Sequence, residues 1–105
     1  MDKKKGHKGE GHRQRLRERF LSAGLEGFQD YEVIELLLTL GTPRKDCKDM
    51  AKAALLRFKT LQGVMEASSH ELCEVDGIGP KNSFGIKLIK AVSDRYLEKK
   101  LINKS

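Results

Sequence analysis

Proline is scarce in this sequence, with two in 105 residues, and β-branched side chains are few. A chain short of helix breakers and rich in Leu, Lys, Glu and Ala favours helix over sheet. No stretch approaches the roughly 20 apolar residues that a membrane span needs. The longest apolar run, residues 33–40, is broken by Glu35 and Thr39. The N-terminus, Met-Asp-Lys-Lys-Lys, has no apolar segment behind it, which argues against a secretory signal and for a cytoplasmic chain without a membrane partner. Cysteine is also scarce. Cys47 and Cys73 stand 26 positions apart with no Cys-x-x-Cys. A structural zinc site needs four closely spaced ligands. His7, His12 and His70 do not complete one, so both cysteines are expected as reduced thiols, with no metal and no cofactor.

Catalytic constellations are missing too. There is no Ser–His or Cys–His pairing, no Gly-rich phosphate loop ending in Lys-Ser/Thr, and no cluster of metal-binding carboxylates. Asp30, Asp46 and Asp76 read as caps and turn residues. The expectation is a protein without enzymatic activity.

What is present is charge, unevenly spread. The net charge is +6. Residues 1–20 hold eight Lys/Arg against three acids, residues 21–80 six against ten, and residues 81–105 seven against two. Basic ends around a mildly acidic middle suit a nucleic-acid partner, because such patches attract phosphate without sequence preference. Residues 1–10 have no apolar side chain after Met1 and are expected as a disordered basic arm whose Lys3, Lys4, Lys5 and Lys8 add non-specific attraction.

Residues 11–100 predict one helical domain of five or six helices, with residues 101–105 as a tail or the start of a linker. Leu16, Phe20, Leu21 and Ala23 form an apolar stripe on a first helix stopped by Gly24. Arg13 and Arg17 share one face of it, Arg15 and Arg19 another, and Glu32 or Glu35 offers itself as an acidic partner. Asp30 is the expected N-cap of a second helix running to Leu40. That helix is apolar nearly all round, hence central. Asp46 should cap a third helix that buries Met50, Ala54 and Phe58, and Thr60 a short fourth one. Ser68-Ser69-His70-Glu71 matches a capping box. The longest helix follows Pro80 to about Lys99, with Phe84, Leu88, Val92 and Tyr96 recurring every four residues.

The segment from Leu72 to Lys81 carries the functional reading. Leu72, Val75 and Ile78 predict the apolar clasp of a helix-hairpin-helix turn. Gly77 and Gly79 permit positive φ and leave no side chain to hold a phosphate away. Pro80 fits the first turn of a helix, whose free amides are a ready anion site, and Lys81 adds a charge there. Upstream, residues 40–46 repeat the outline without Gly-x-Gly and predict a degenerate first hairpin, with Arg44 and Lys45 as a second contact. The candidate DNA-binding set is therefore Gly77, Ile78, Gly79, Lys81, Arg44 and Lys45. The alternative is a protein-interaction or dimerisation module of the same fold, with Ile78 or the edges of the central helix near the partner.

The runs from Gly11 (Gly-His-Arg-x-Arg-Leu-Arg-Glu-Arg-Phe), Gly24-Leu25, Tyr31-Glu32-x-x-Glu35-Leu36-Leu37-Leu38, Pro43-Arg44-Lys45-Asp46 and Val75-Asp76-Gly77-Ile78-Gly79-Pro80 resemble the N-terminal domain of the bacterial RadC family. That resemblance spans roughly residues 11–98. It implies a cytoplasmic DNA repair protein with a tandem helix-hairpin-helix domain like domain 2 of RuvA, and other repair or replication proteins as further partners. Members of the family continue into a JAB/MPN-type metal-binding domain. The sequence stops at Ser105, so the expectation is that this domain and its zinc chemistry are not carried here. Residues 81–85, Lys-Asn-Ser-Phe-Gly, depart from the small, helix-favouring residues of relatives. Gly85 inside a helix costs about 1 kcal/mol relative to Ala.

Overall fold

The computed structural model describes residues 10–43 and 45–104. Among them are six helices and no strand: α1 (Glu10–Ala23), α2 (Asp30–Leu38), α3 (Lys48–Phe58), α4 (Leu61–Glu66), α5 (Ser69–Leu72) and α6 (Pro80–Lys104). The predicted arm, including Lys3, Lys4, Lys5 and Lys8, lies outside the described residues apart from Glu10. The helix predicted to end near Lys99 continues through Lys104, so residues 101–104 are helix rather than tail.

Helix α2 is the centre of the fold and touches α1, α3, α4 and α6. Its apolar girth is the reason, since a helix without a broad polar face must find cover on several sides. Ile34 and Leu38 are fully buried and join Met50, Ala51, Ala54, Val64, Leu72, Val75, Ile78 and Ile86 in one core cluster. Each fully buried aliphatic side chain contributes about 1.5–3 kcal/mol.

The helix starts follow local chemistry, with two corrections. Gln29, not Asp30, is the N-cap of α2, and its amide donates to Glu32 Oε1 at 2.9 Å. Asp46 does accept from the Lys48 amide at 2.9 Å, but from one residue before the formal cap, Cys47. Thr60 caps α4 through the Gly63 amide. Ser68 and Glu71 satisfy each other's backbone donors at 3.0 and 2.9 Å, as the capping box requires.

Two apolar stripes lie differently from expectation. On α1 only Leu16 is buried, while Phe20 and Leu21 are 44% and 81% exposed. On α6 the core contact is made by Asn82, Ser83 and Ile86, and the four-residue ladder of Phe84, Leu88, Val92 and Tyr96 is exposed. The reason is angular. Residues 82, 83 and 86 occupy one side of a 3.6-residue helix, and 84, 88, 92 and 96 occupy another. Every residue of α6 from 91 to 102 is exposed.

Gly85 sits in α6 with an ordinary φ, and a methyl there would make only van der Waals contact, 3.7 Å from the Leu37 carbonyl and 3.8 Å from Leu40 Cβ. Gly85→Ala is therefore expected to stabilise the fold by about 0.5–1 kcal/mol. A higher urea midpoint with unchanged slope is the expected result, and a lower midpoint contradicts the described packing.

Candidate nucleic-acid interface

The turn between α5 and α6 is built by three side chains. Leu72, Val75 and Ile78 are buried, and the amide of Ile78 donates to the Val75 carbonyl at 3.0 Å. Burial of Ile78 removes it from any contact surface; its role is to clamp the turn. Gly77 has φ +90°, and a Cβ there would lie 2.6 Å from both Cγ and Sδ of Met50. Gly79 differs. It is not among the positive-φ residues, and an added Cβ would meet nothing within 4 Å. Of these two glycines, only Gly77 is demanded by the fold.

Asn82, which the sequence reading did not single out, organises this end of the molecule. It is the third residue of α6 and is 5% exposed. Its Oδ1 accepts from the Gly79 amide at 2.8 Å, closing the helix start. Its Nδ2 donates to Thr42 Oγ1 at 2.8 Å and to the Gly77 carbonyl at 3.1 Å. The Gly79 amide, expected to face a ligand, is therefore engaged internally. The amides of Lys81 and Asn82 are left as the donors at the start of α6 that have no partner among the described residues.

The Thr42 bond crosses to the loop after α2. Gly41 packs there on the backbone of α6, where a Cβ would come within 2.4 Å of the Lys81 carbonyl oxygen and 2.8 Å of Asn82 Cα. The two glycine turns, residues 41–42 and 77–82, thus lie against each other. Lys81 is exposed on the later turn, and Lys45 is exposed three positions after the earlier one. Arg44 lies outside the described residues. Arg13 reaches from α1 and donates to the Lys45 carbonyl at 2.5 Å, so the first helix braces the second turn. A sequence signal for Asn82 does exist: a polar acceptor three residues after a glycine N-cap fills the reciprocal half of a capping box.

The remaining arginines divide. Arg19 pairs with Glu32 at 3.0 Å and its guanidinium lies 4.3 Å from the Phe28 ring centroid, a structural anchor for α1. The Arg19 hydrogen bond holds the Glu32 carboxyl below the usual range. Glu35 meets a histidine instead. It is buried, its Oε2 lies 2.9 Å from His12 Nε2, and its Oε1 has no hydrogen-bond partner among the described residues. Burial pushes its carboxyl pKa up. Cys47 is a buried thiol, also pushed up by burial, and Cys73 is exposed; both are free. No cluster of three His, Cys, Asp or Glu side chains that could hold a metal occurs among the described residues, and no described helix is long and apolar enough to cross a membrane.

A small all-helical domain whose long C-terminal helix begins at a glycine turn, beside a second such turn, is the class that fold and site define. Residues 10–84 match the family model described as UPF0758 N-terminal, and the chain belongs to that family. A curated relative, a UPF0758 protein of Fusobacterium nucleatum subsp. nucleatum, is 43% identical over 100 residues, which cover 90% of this chain and 43% of the relative. The chain thus spans less than half the length of that relative. No solved structure matches it.

Two predictions follow from this geometry. Gly41→Ala is expected to cost about 1–3 kcal/mol through backbone overlap, while Gly79→Ala costs less than about 1 kcal/mol. Urea unfolding of both checks this, and equal losses contradict the close approach at Gly41. The raised Glu35 pKa means the folded state holds that proton more tightly than the unfolded chain does. Folding stability is then greatest below the ordinary carboxylate range and falls as pH rises through the folded value. Glu35→Gln removes this dependence, so the stability of the variant relative to wild type should climb with pH from that range upward. A flat difference between pH series contradicts the burial of a titrating carboxyl.

Proposed function

We propose that this chain is a sequence-independent DNA-backbone binding module of a RadC-like DNA repair protein, without catalytic chemistry of its own. On this reading α5, the 73–79 turn and α6 form a helix-hairpin-helix unit. The loop at residues 41–46 is its degenerate counterpart, as in domain 2 of RuvA. The module acts in the bacterial cytoplasm and positions a further domain or partner on DNA.

The observation that carries the reading is the contact of Gly41 and Thr42 with Lys81 and Asn82. It sets two glycine turns side by side, one bearing the exposed Lys81 and the other followed by the exposed Lys45, on a chain of net charge +6. A phosphate approaching α6 would meet the amides of Lys81 and Asn82 at the positive end of a 25-residue helix, with the Lys81 ammonium beside them. Gly79 then serves by being bare, since nothing inside the fold asks for a glycine there. Lys45 and Arg44 supply the second backbone contact, and the lysines at 3, 4, 5 and 8 add long-range attraction. Contacts of this kind position a protein and read no bases.

Fluorescence anisotropy with duplex, forked and single-stranded DNA across a salt series tests the reading. A clamp on about four phosphates gives a log–log salt slope near −3 to −4. Lys81→Glu should bind weakly with a shallower slope, and Gly79→Ala should weaken binding while remaining folded. Equal binding by wild type and Lys81→Glu, or none by either at low salt, would falsify the proposal.

A further inference from the structure

We infer that Arg13 and Arg17 of α1 form a further phosphate-binding site, which takes a backbone phosphate of the nucleic acid held by the joined turns. The site rests on the DNA-binding function proposed above and extends it to α1.

Among the arginines of α1, only Arg19 has its charge matched within the fold, by Glu32. Arg13 and Arg17 meet no carboxylate among the described residues. Glu18 stands next to Arg17 in sequence, yet it accepts from Gln14 at 3.3 Å. Residues four apart lie about 40° apart around a helix, so the two arginines project from one side of α1. Like charges at that spacing repel one another, and an anion between them relieves the repulsion.

Their position is set by the loop between α2 and α3. Arg17 Nη2 lies 3.5 Å from Thr39 Oγ1 at the start of that loop, and Arg13 Nη2 donates to the Lys45 carbonyl near its end. Gly41 and Thr42, between those points, rest on Lys81 and Asn82. The loop therefore meets α1 at both ends and the start of α6 in its middle. A guanidinium carries five N–H donors, and the described residues engage one nitrogen of each. An open cleft of about 400 Å³ lies beside them, lined by Gly11, Arg13, Gln14 and Arg17. Two guanidiniums and one amide are the only side chains lining it, and Gly11 adds none. Such a cleft offers N–H donors and positive charge and holds no carboxylate. Phosphate is the anion that suits it, because the planar fork of arginine binds two phosphate oxygens at once.

Anisotropy titrations of the full chain with a short duplex across a salt series test the site, with Arg13→Gln, Arg17→Gln and Arg15→Gln beside Lys81→Glu. Arg15 controls for charge alone. It stands on the same helix, roughly 160° around from both arginines, and lines a different recess. Losing one phosphate contact flattens the log–log salt slope by about 1. Arg13→Gln and Arg17→Gln should each show that change and bind more weakly, while Arg15→Gln keeps the wild-type slope. Far-UV circular dichroism confirms that the variants are folded. Arg17→Gln is the safer of the two, since the single bond of Arg17 within the fold is a long one. Wild-type slopes in Arg13→Gln and Arg17→Gln, with binding still lost in Lys81→Glu, overturn the α1 site and leave the joined turns standing. Equal flattening in Arg15→Gln also overturns it, because the charge of α1 then acts without a site. A wild type that fails to bind at low salt removes both, and the wild-type titration alone distinguishes that result.

Discussion

The side-chain amide of Asn82 ties together the two parts of the chain that meet at the start of α6. One oxygen closes the helix on the Gly79 amide, and the nitrogen holds both the Gly77 carbonyl and Thr42, 40 positions upstream. Asn82 and Thr42 are buried, so losing either side of their bond strands a polar group away from water, at about 1–3 kcal/mol. The arrangement is possible because Gly41 has no side chain and lets the α2 loop rest on the backbone of Lys81. Had either position been different, the two turns would have to separate.

Everything else at this end of the molecule supports that junction. Helix α2 delivers Gly41 from the centre of the core, and Met50 of α3 packs directly under Gly77. Helix α1 braces the second turn through Arg13 and is itself held by Leu16, by the Arg19–Glu32 pair and by His12 against the buried Glu35. Burying a carboxyl group whose Oε1 has no hydrogen-bond partner among the described residues is costly.

Local signals in the sequence were readable where the chemistry is local. The Ser68–Glu71 box, the Thr60 cap, the clasp of Leu72, Val75 and Ile78, and the positive φ at Gly77 all depend on residues a few positions apart. The central place of α2 followed from its lack of a polar face. The direction of the α6 ladder did not follow from its spacing, because a period of four shows that a face is apolar without showing what lies opposite it. Ile86, with Asn82 and Ser83 on the other side, makes the core contact instead. Gly77 and Gly79 look alike in sequence, yet Met50 constrains only the first. Asn82 was missed because the partner that makes it a junction, Thr42, lies 40 positions upstream and is set by tertiary contact. The resemblance to the RadC family agrees in coarse outline with membership of the UPF0758 N-terminal family, while the assignment to DNA repair remains a proposal.

Amide NMR during titration with a short duplex of arbitrary sequence asks most directly whether the joined turns are the working surface. The largest shifts should fall on Thr42, Lys45, Gly77, Lys81 and Asn82, and they should fade together as salt is raised. Shifts confined to residues 88–101, or none at low salt, would contradict the joined turns as a phosphate-binding surface.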